Sequence, residues 1–151
     1  MPERKTRLRA QRDRRAGKAP STQAGEFVRE EIEHVREGKH GARSAKQAIT
    51  IGLSKARRAG VALPPRKRGT TSEATRRKAE RDLAVAAHPH PASARRSRAV
   101  TEALVREPHA AASPGALSRH AHAVARRRTQ AERSASARQA ARTRARRRTK
   151  A

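Results

Sequence analysis

The chain has 151 residues, no cysteine, and 39 Lys and Arg side chains against 13 Asp and Glu, which gives a formal net charge of +26. Only 17 residues are Leu, Ile, Val or Phe, because most of the hydrophobic fraction is Ala. This composition is typical of disordered chains and argues against one large core. It also excludes a membrane-spanning helix, which needs about 18 apolar residues in a row, a disulfide scaffold and a cysteine zinc finger.

The excess of positive charge predicts a polyanionic partner. A nucleic-acid backbone would neutralise the chain and release counterions, and so relieve its self-repulsion. An anionic membrane is the alternative, but membrane-surface helices carry Trp, Phe or Leu opposite their basic side chains. The chain has one aromatic residue of these kinds, Phe27, and no Trp or Tyr. We therefore expect a nucleic-acid partner and no membrane partner. The basic start lacks the apolar stretch of a signal peptide, which favours a cytoplasmic location.

Charge and apolar residues divide the chain into four segments. Residues 1–20 are a basic arm. Residues 21–63 are nearly neutral, with 8 basic and 5 acidic side chains, and hold nine of the 17 large apolar residues. Residues 64–112 are a basic linker with short helices, and residues 113–151 are an Ala/Arg-rich tail with 12 basic side chains and 1 acidic one. The predicted fold class is mainly α with substantial disorder.

The segment 21–63 is expected to form an antiparallel helical hairpin. Its first helix should begin after Ser21-Thr22, bury the stripe Val28, Ile32 and Val35 and end at Gly38. Glu30, Glu33 and Glu37 should lie on the solvent side.

The second helix should begin with a capping box at Ser44 and end at Gly60. Its small side chains favour close approach of another helix, and its solvent side should carry Gln47, Thr50, Ser54, Arg57 and Arg58. Nine large apolar residues support only a marginal fold, so we expect it to gain order from a partner or from self-association.

Further short helices are expected in the linker and the tail. One should start with a capping box at Thr70 and end at Ala87, before His88-Pro89-His90-Pro91. Another should span about Ser93 to Arg106. After the cap Ser113-Pro114, the Ala/Arg tract has no helix breaker. We expect it to be disordered when free, since like charges oppose the helix, and helical on phosphates. Ala-Arg-Arg-Arg-Thr occurs at 125–129 and 145–149, about 30 Å apart in one helix.

Arginine is the residue type that the predicted function depends on, since guanidinium binds phosphate in a bidentate way and also reaches guanine edges. A GC-rich genome would explain Arg in place of Lys, but not a threefold excess of bases over acids. The candidate nucleic-acid-binding residues are Arg7, Arg12, Arg14, Arg15, Lys46, Gln47, Arg57, Arg58, Arg66, Lys67, Arg68, Arg126, Arg127, Arg128, Arg146, Arg147 and Arg148.

A helix-turn-helix is an alternative interpretation of the hairpin, with the second helix reading a groove through Lys46, Gln47, Arg57 and Arg58. The connection of about six residues is longer than the usual three or four.

No metal, cofactor or catalytic site is expected. The pairs His88/His90 and His120/His122 lack a Cys or carboxylate that would complete a zinc site. The chain has no catalytic sequence motif of the kinds that mark hydrolases, phosphate-binding loops or metalloproteases, so we expect a protein that is not an enzyme.

The stretch from Gly38 to Gly60 resembles a family of small basic bacterial proteins with a domain of unknown function. The family motif is Ser-x-Lys-Gln-Ala-Ile-Ala-Ile-x-Leu-Ser-x-Ala-Arg-x-Ala-Gly, and Thr50 stands where the family usually has Ala. The matching positions are Ser44, Lys46 to Ile49, Ile51, Leu53, Ser54, Ala56, Arg57, Ala59 and Gly60. The resemblance covers about residues 21–63 and implies a bacterial protein of the cytoplasm or nucleoid, in a family often labelled DNA-binding. The tail is similar in composition to those of bacterial histone-like proteins.

Three functional hypotheses remain open. The first is a nucleoid-associated, histone-like DNA-binding protein whose basic segments bind phosphates with little sequence preference. The second is an RNA-binding or ribosome-associated protein, in which residues 4–15 act as an arginine-rich peptide that folds on RNA. The third is an interaction adaptor that forms homo-oligomers through residues 21–63.

Overall fold

The computed structural model describes residues 2–88 and 93–149. Within them the chain forms seven α-helices and one 3-10 turn and no strand. The predicted mainly α class is therefore confirmed. The elements are α1 (Arg4–Arg15), α2 (Pro20–Arg36), α3 (Ala45–Arg58), α4 (Glu73–Ala87), α5 (Ala94–Val105), the 3-10 turn (Ala110–Ala112), α6 (Pro114–Arg126) and α7 (Gln130–Arg148).

The predicted disorder is wrong for the described residues, because helices make up most of them, including most of the tail. The physical reason is that Ala and Arg both have high helix propensity and that polar side chains cap the helix starts. Ser113 Oγ accepts a hydrogen bond from the backbone N–H of Ala116 at 3.2 Å, as predicted for the start of α6. The described residues are therefore more ordered than we predicted from the composition.

The predicted hairpin is present as α2 and α3. Helix α2 begins at Pro20, slightly before the predicted start, because proline fits the first position of a helix. Gly38 and Gly60 follow the two helices with φ values of +74° and +88°, which confirms both predicted ends. Ser44 Oγ accepts from the backbone N–H of Gln47 at 3.2 Å and thereby caps α3.

Helices α2 and α3 approach each other closely at Gly52. A Cβ on Gly52 would lie 2.7 Å from the Cα of Val28, so only glycine fits at this contact. Ala45, Ala48 and Ala56 are also buried on this side of α3. The face of α3 that carries Ala and Gly is thus buried against α2 within the protomer.

The core extends beyond the hairpin, because α1 packs on α2. Thr6, Ala10 and Asp13 are the buried residues of α1. The main hydrophobic cluster consists of Ala10, Ala24, Phe27, Ala56 and Val61, with Leu53 and Leu63 packed against it. A helix from the predicted arm therefore supplies part of the core that the hairpin lacks.

Helix α4 covers a second side of α3. The side chain of Ser54, predicted to face solvent, is buried and donates a hydrogen bond to Asp82 Oδ2 at 2.6 Å. The prediction for Ser54 was wrong because its partner lies 28 residues further along the chain.

The turn after α2 is held by the last turn of α5 and by the segment that follows α5. The backbone N–H groups of Gly41 and Ala42 donate to the carbonyls of Leu104 and Pro108, at 2.8 and 2.9 Å. A Cβ on Gly41 would lie 1.7 Å from the carbonyl oxygen of Glu107.

The chain forms two compact units, residues 1–116 and residues 117–151. In the second unit, α6 and α7 are separated by a break that we did not predict. Thr129 Oγ1 accepts from the backbone N–H of Glu132 at 3.2 Å, and Glu132 Oε2 accepts from the backbone N–H of Thr129 at 2.8 Å. This reciprocal capping box starts α7.

No helix in the described part of the chain combines the length and the apolar character needed to cross a membrane.

Candidate nucleic-acid interface

Helix α1 presents a row of arginines to solvent. Its buried residues Thr6, Ala10 and Asp13 follow an i, i+4, i+7 spacing and lie on one side of the helix. The exposed arginines outside this stripe are called here the α1 arginine face; they are Arg4, Arg7, Arg12, Arg14 and Arg15. The buried side of α1, which has short side chains, packs against α2. This packing orders the helix that carries four of the predicted site residues.

The α1 arginine face carries charge that the described residues do not neutralise. The ion pairs of α1 involve other side chains: Lys5 with Glu3 at 3.1 Å, Arg9 with Glu26 at 3.9 Å and Asp13 with Lys18 at 2.6 Å. Among the described residues no carboxylate pairs with any arginine of the face. Its guanidinium groups are therefore free to bind anions from outside the chain.

The four predicted residues of α3 do not form one patch. Lys46 and Gln47 lie in its first turn, and Arg57 and Arg58 lie in its last turn, about 16 Å away at 1.5 Å per residue. Gln47 Oε1 accepts from the backbone N–H of Arg43 at 2.7 Å. The Gln47 side chain is therefore already hydrogen-bonded to the backbone just before α3.

The two arginines of α3 also have partners within the chain. Arg57 Nε donates to the carbonyl of Leu63 at 3.0 Å, and burial lowers the pKa of its guanidinium. Arg58 Nε lies 3.6 Å from Asp82 Oδ1. Because α2 and α4 cover two sides of α3, only a narrow strip of it, with Lys46, Thr50 and Arg58, stays exposed. This is an unfavourable arrangement for a helix that enters a groove.

The linker cations Arg66, Lys67 and Arg68 are exposed in the irregular segment between α3 and α4. Thr70 Oγ1 donates to the carbonyl of Lys67 at 2.6 Å, which shapes the chain at this point. The three side chains are accessible, but no helix orders them as α1 orders its own arginines.

The arginines of the tail that we predicted to bind nucleic acid lie at the ends of α6 and α7 and in the break between these helices. Arg126 ends α6, and Arg127 and Arg128 follow it in the break, whereas Arg146 and Arg148 lie at the end of α7. All five are exposed. The two Ala-Arg-Arg-Arg-Thr copies therefore do not occupy one continuous helix, and the spacing of about 30 Å does not apply to them. The side chain of Arg147 lies outside the described part of the structure.

Helix α7 is polar on every side and buries no described residue. Arginines recur on it at i, i+4, as in Arg138 and Arg142 or Arg144 and Arg148, and such like-charge pairs destabilise a helix in water. Arg128 folds back on this helix and donates to the carbonyl of Glu132 and to Ser136 Oγ. Anions bound along α7 would remove the repulsion between its arginines.

The histidine pairs considered from the sequence do not form a site in the described residues. His88 is exposed after α4, and its partner His90 lies outside the described residues. His120 and His122 are two positions apart on α6, so their side chains point in different directions.

A cluster of the buried Glu31 with the half-buried His34 and His40 was missed, and it is a group that could hold a metal ion. Glu30 also proved to be buried, although we placed it on the solvent side. The Glu-x-x-His spacing in α2 was a visible signal, since i, i+3 side chains share a face. No local pattern could have placed His40 beside them.

The comparisons with known proteins agree with the resemblance found in the sequence. Residues 10–67 match the model of a family of unknown function, DUF6496. The match begins inside α1 and ends in the linker after α3, so it spans the core described above. No curated protein and no solved structure matches the chain. Residues 10–67 are thus similar to the DUF6496 family, a family of unknown function.

Proposed function

We propose that this protein binds duplex DNA without strong sequence preference, as a small nucleoid-associated protein of the histone-like kind, and that it is not an enzyme. The observation that carries the proposal is the α1 arginine face: five exposed guanidinium groups on an ordered helix, without carboxylate partners among the described residues. Guanidinium groups in this arrangement suit the repeated phosphates of a nucleic acid.

The tail supports the same proposal independently. The segment 113–151 has 12 basic side chains and 1 acidic one, and α7 has no apolar face to pack on a core. A helix of this kind gains stability from phosphates, because they neutralise closely spaced guanidinium groups. In this view the first unit and the tail each contact DNA, and two contacts on one chain favour bridging or compaction of duplexes.

RNA is the second candidate partner, and the order of α1 is the observation that favours it. A short arginine-rich helix can enter a distorted RNA groove that is closed to it in a regular A-form duplex. Self-association remains a third proposal, but the alanine face of α3 and Glu30 are buried within the protomer. An oligomer would have to use other surfaces.

A competition assay with the full chain tests the proposal. Labelled random-sequence duplex is bound at a fixed salt concentration, and unlabelled duplex, single-stranded DNA and structured RNA are added as competitors. The proposal predicts that duplexes of different sequence compete equally and that RNA competes no better than duplex. Selective displacement by structured RNA would favour the second candidate, and failure to bind any of the three would contradict nucleic-acid binding altogether.

A further inference from the structure

Five ionisable side chains meet where the start of α1, the C-terminal half of α2 and the turn after α2 come together: Glu3, Glu30, Glu31, His34 and His40. Glu31 is completely buried and Glu30 is 3% exposed. The ring centroids of His34 and His40 are 6.1 Å apart, with the rings nearly perpendicular. The nucleic-acid interface proposed above does not use this cluster.

Hydrogen bonds fix which nitrogen of each histidine is free. His40 Nδ1 lies 3.0 Å from the carbonyl oxygen of Gly41, and a carbonyl only accepts, so Nδ1 carries a hydrogen. His34 Nε2 donates in the same way to Glu3 Oε1, at 3.1 Å. Neutral rings therefore retain a lone pair on His40 Nε2 and on His34 Nδ1. A carboxylate and a backbone carbonyl are the usual partners of metal-binding histidines.

Each of the two buried glutamates has one carboxylate oxygen that forms no hydrogen bond with the described residues. Glu31 Oε2 pairs with Lys55 Nζ, and Glu30 Oε1 accepts from the backbone N–H of Glu3 at 3.0 Å. The other oxygens, Glu31 Oε1 and Glu30 Oε2, are buried and have no hydrogen-bond partner among the described residues. Leaving a buried carboxylate oxygen unsatisfied is costly, and a cation held by Glu31 together with His34 and His40 would remove that cost for Glu31 Oε1.

We propose that Glu31, His34 and His40 bind a divalent transition-metal ion, and that Zn²⁺ fits them best. One ligand atom from each of the three lies within 4.8 Å of the other two. Bonds of about 2.0–2.2 Å to a tetrahedral Zn²⁺ separate the ligand atoms by about 3.3 Å. His40 Nε2 and Glu31 Oε1 are already 3.1 Å apart without forming a hydrogen bond.

The ligand types select among metals. Two imidazoles and one carboxylate suit zinc and related transition metals, whereas magnesium and calcium prefer oxygen ligands alone. The bound ion joins α2 to the following turn, which the segment after α5 also holds. It therefore stabilises the part of the chain that is similar to the DUF6496 family, since all three ligands lie within residues 10–67.

Titration of the metal-free full chain with Zn²⁺, followed by calorimetry, tests the site. We expect one saturable site with a Kd below about 1 µM and a higher Tm with zinc than without it. His40→Gln and Glu31→Gln should each weaken this site by about 100-fold or more. His122→Gln, at an exposed histidine of α6, is the matched control and should leave the affinity unchanged.

A measurement on the unmodified chain keeps the proposal testable if a variant does not fold. Nitrogen NMR of the histidine rings should show that Zn²⁺ shifts the signals of His40 Nε2 and His34 Nδ1 and leaves those of His122 unchanged. Equal zinc affinity in the unmodified chain and in His40→Gln, or no saturable binding at all, would overturn the proposal. The cluster would then be a network of ion pairs only.

Discussion

The α1 arginine face allows a quantitative prediction for the salt dependence of DNA binding. The variant combines Arg7→Gln, Arg12→Gln, Arg14→Gln and Arg15→Gln. Gln and Arg have similar helix propensities, and the four side chains are exposed and pair with no described carboxylate, so α1 should stay folded. Helical content measured by circular dichroism verifies this.

The magnitude follows from counterion release. Each phosphate contact adds about 0.9 to the negative slope of log K against log salt. Four lost contacts therefore reduce the steepness of the slope by about 3.6. Between 50 and 200 mM salt the unmodified chain should lose about 150-fold more affinity than the variant. Fluorescence anisotropy with a labelled duplex measures both slopes.

A control variant that loses the same number of positive charges distinguishes the effect of the α1 arginine face from the effect of net charge alone. It replaces four cations that are paired with carboxylates: Arg29, Arg43, Arg76 and Lys78, each by Gln. The control removes the same formal charge, but we expect its slope to change by less than about 1, since these cations already have partners. If the two variants lowered the slope equally, binding by a defined face on α1 would be refuted.

Three further predictions concern stability. Phe27→Ala should lower the free energy of unfolding by about 3–5 kcal/mol, because Phe27 is only 1% exposed. The control Leu8→Ala changes a side chain that is 54% exposed and should have little effect. Equal effects of the two variants in urea denaturation would contradict the core described. Asp82→Ala should cost about 1–3 kcal/mol by leaving the Ser54 hydroxyl without its acceptor, and Ser54→Ala in the same chain should recover part of that loss. Thr129→Ala should destabilise the start of α7 by about 0.5–2 kcal/mol, and amide hydrogen exchange that stayed unchanged in its first turn would count against the capping box.

Helix ends were predictable from the sequence, because their causes are local. Gly38 and Gly60 adopt left-handed backbone conformations after their helices, and Ser44 and Ser113 cap the next helices through side chains three residues from the bonded N–H. The box at Thr129 has the same signature and could also have been predicted.

Burial was less predictable, because the partners are distant in the chain. Ser54 and the buried glutamates of α2 fall on faces that look solvent-exposed when the hairpin is considered alone. Ser54 is covered by α4, and Glu30 is covered by the start of α1, whose Glu3 N–H it binds. The arm of residues 1–20 gave no strong apolar signal, since α1 packs through Thr6 and Ala10. Small buried side chains of this kind contribute to a core without marking it in the sequence.

The central claim, that exposed arginines bind DNA through its phosphates, is tested most directly by the affinity of the full chain for random-sequence duplex at 50 and 200 mM salt. A protein that makes six to ten phosphate contacts loses about 10³–10⁵ in affinity over this range, and we predict a loss of that size. A loss of less than about tenfold corresponds to fewer than two phosphate contacts. That result would contradict the account.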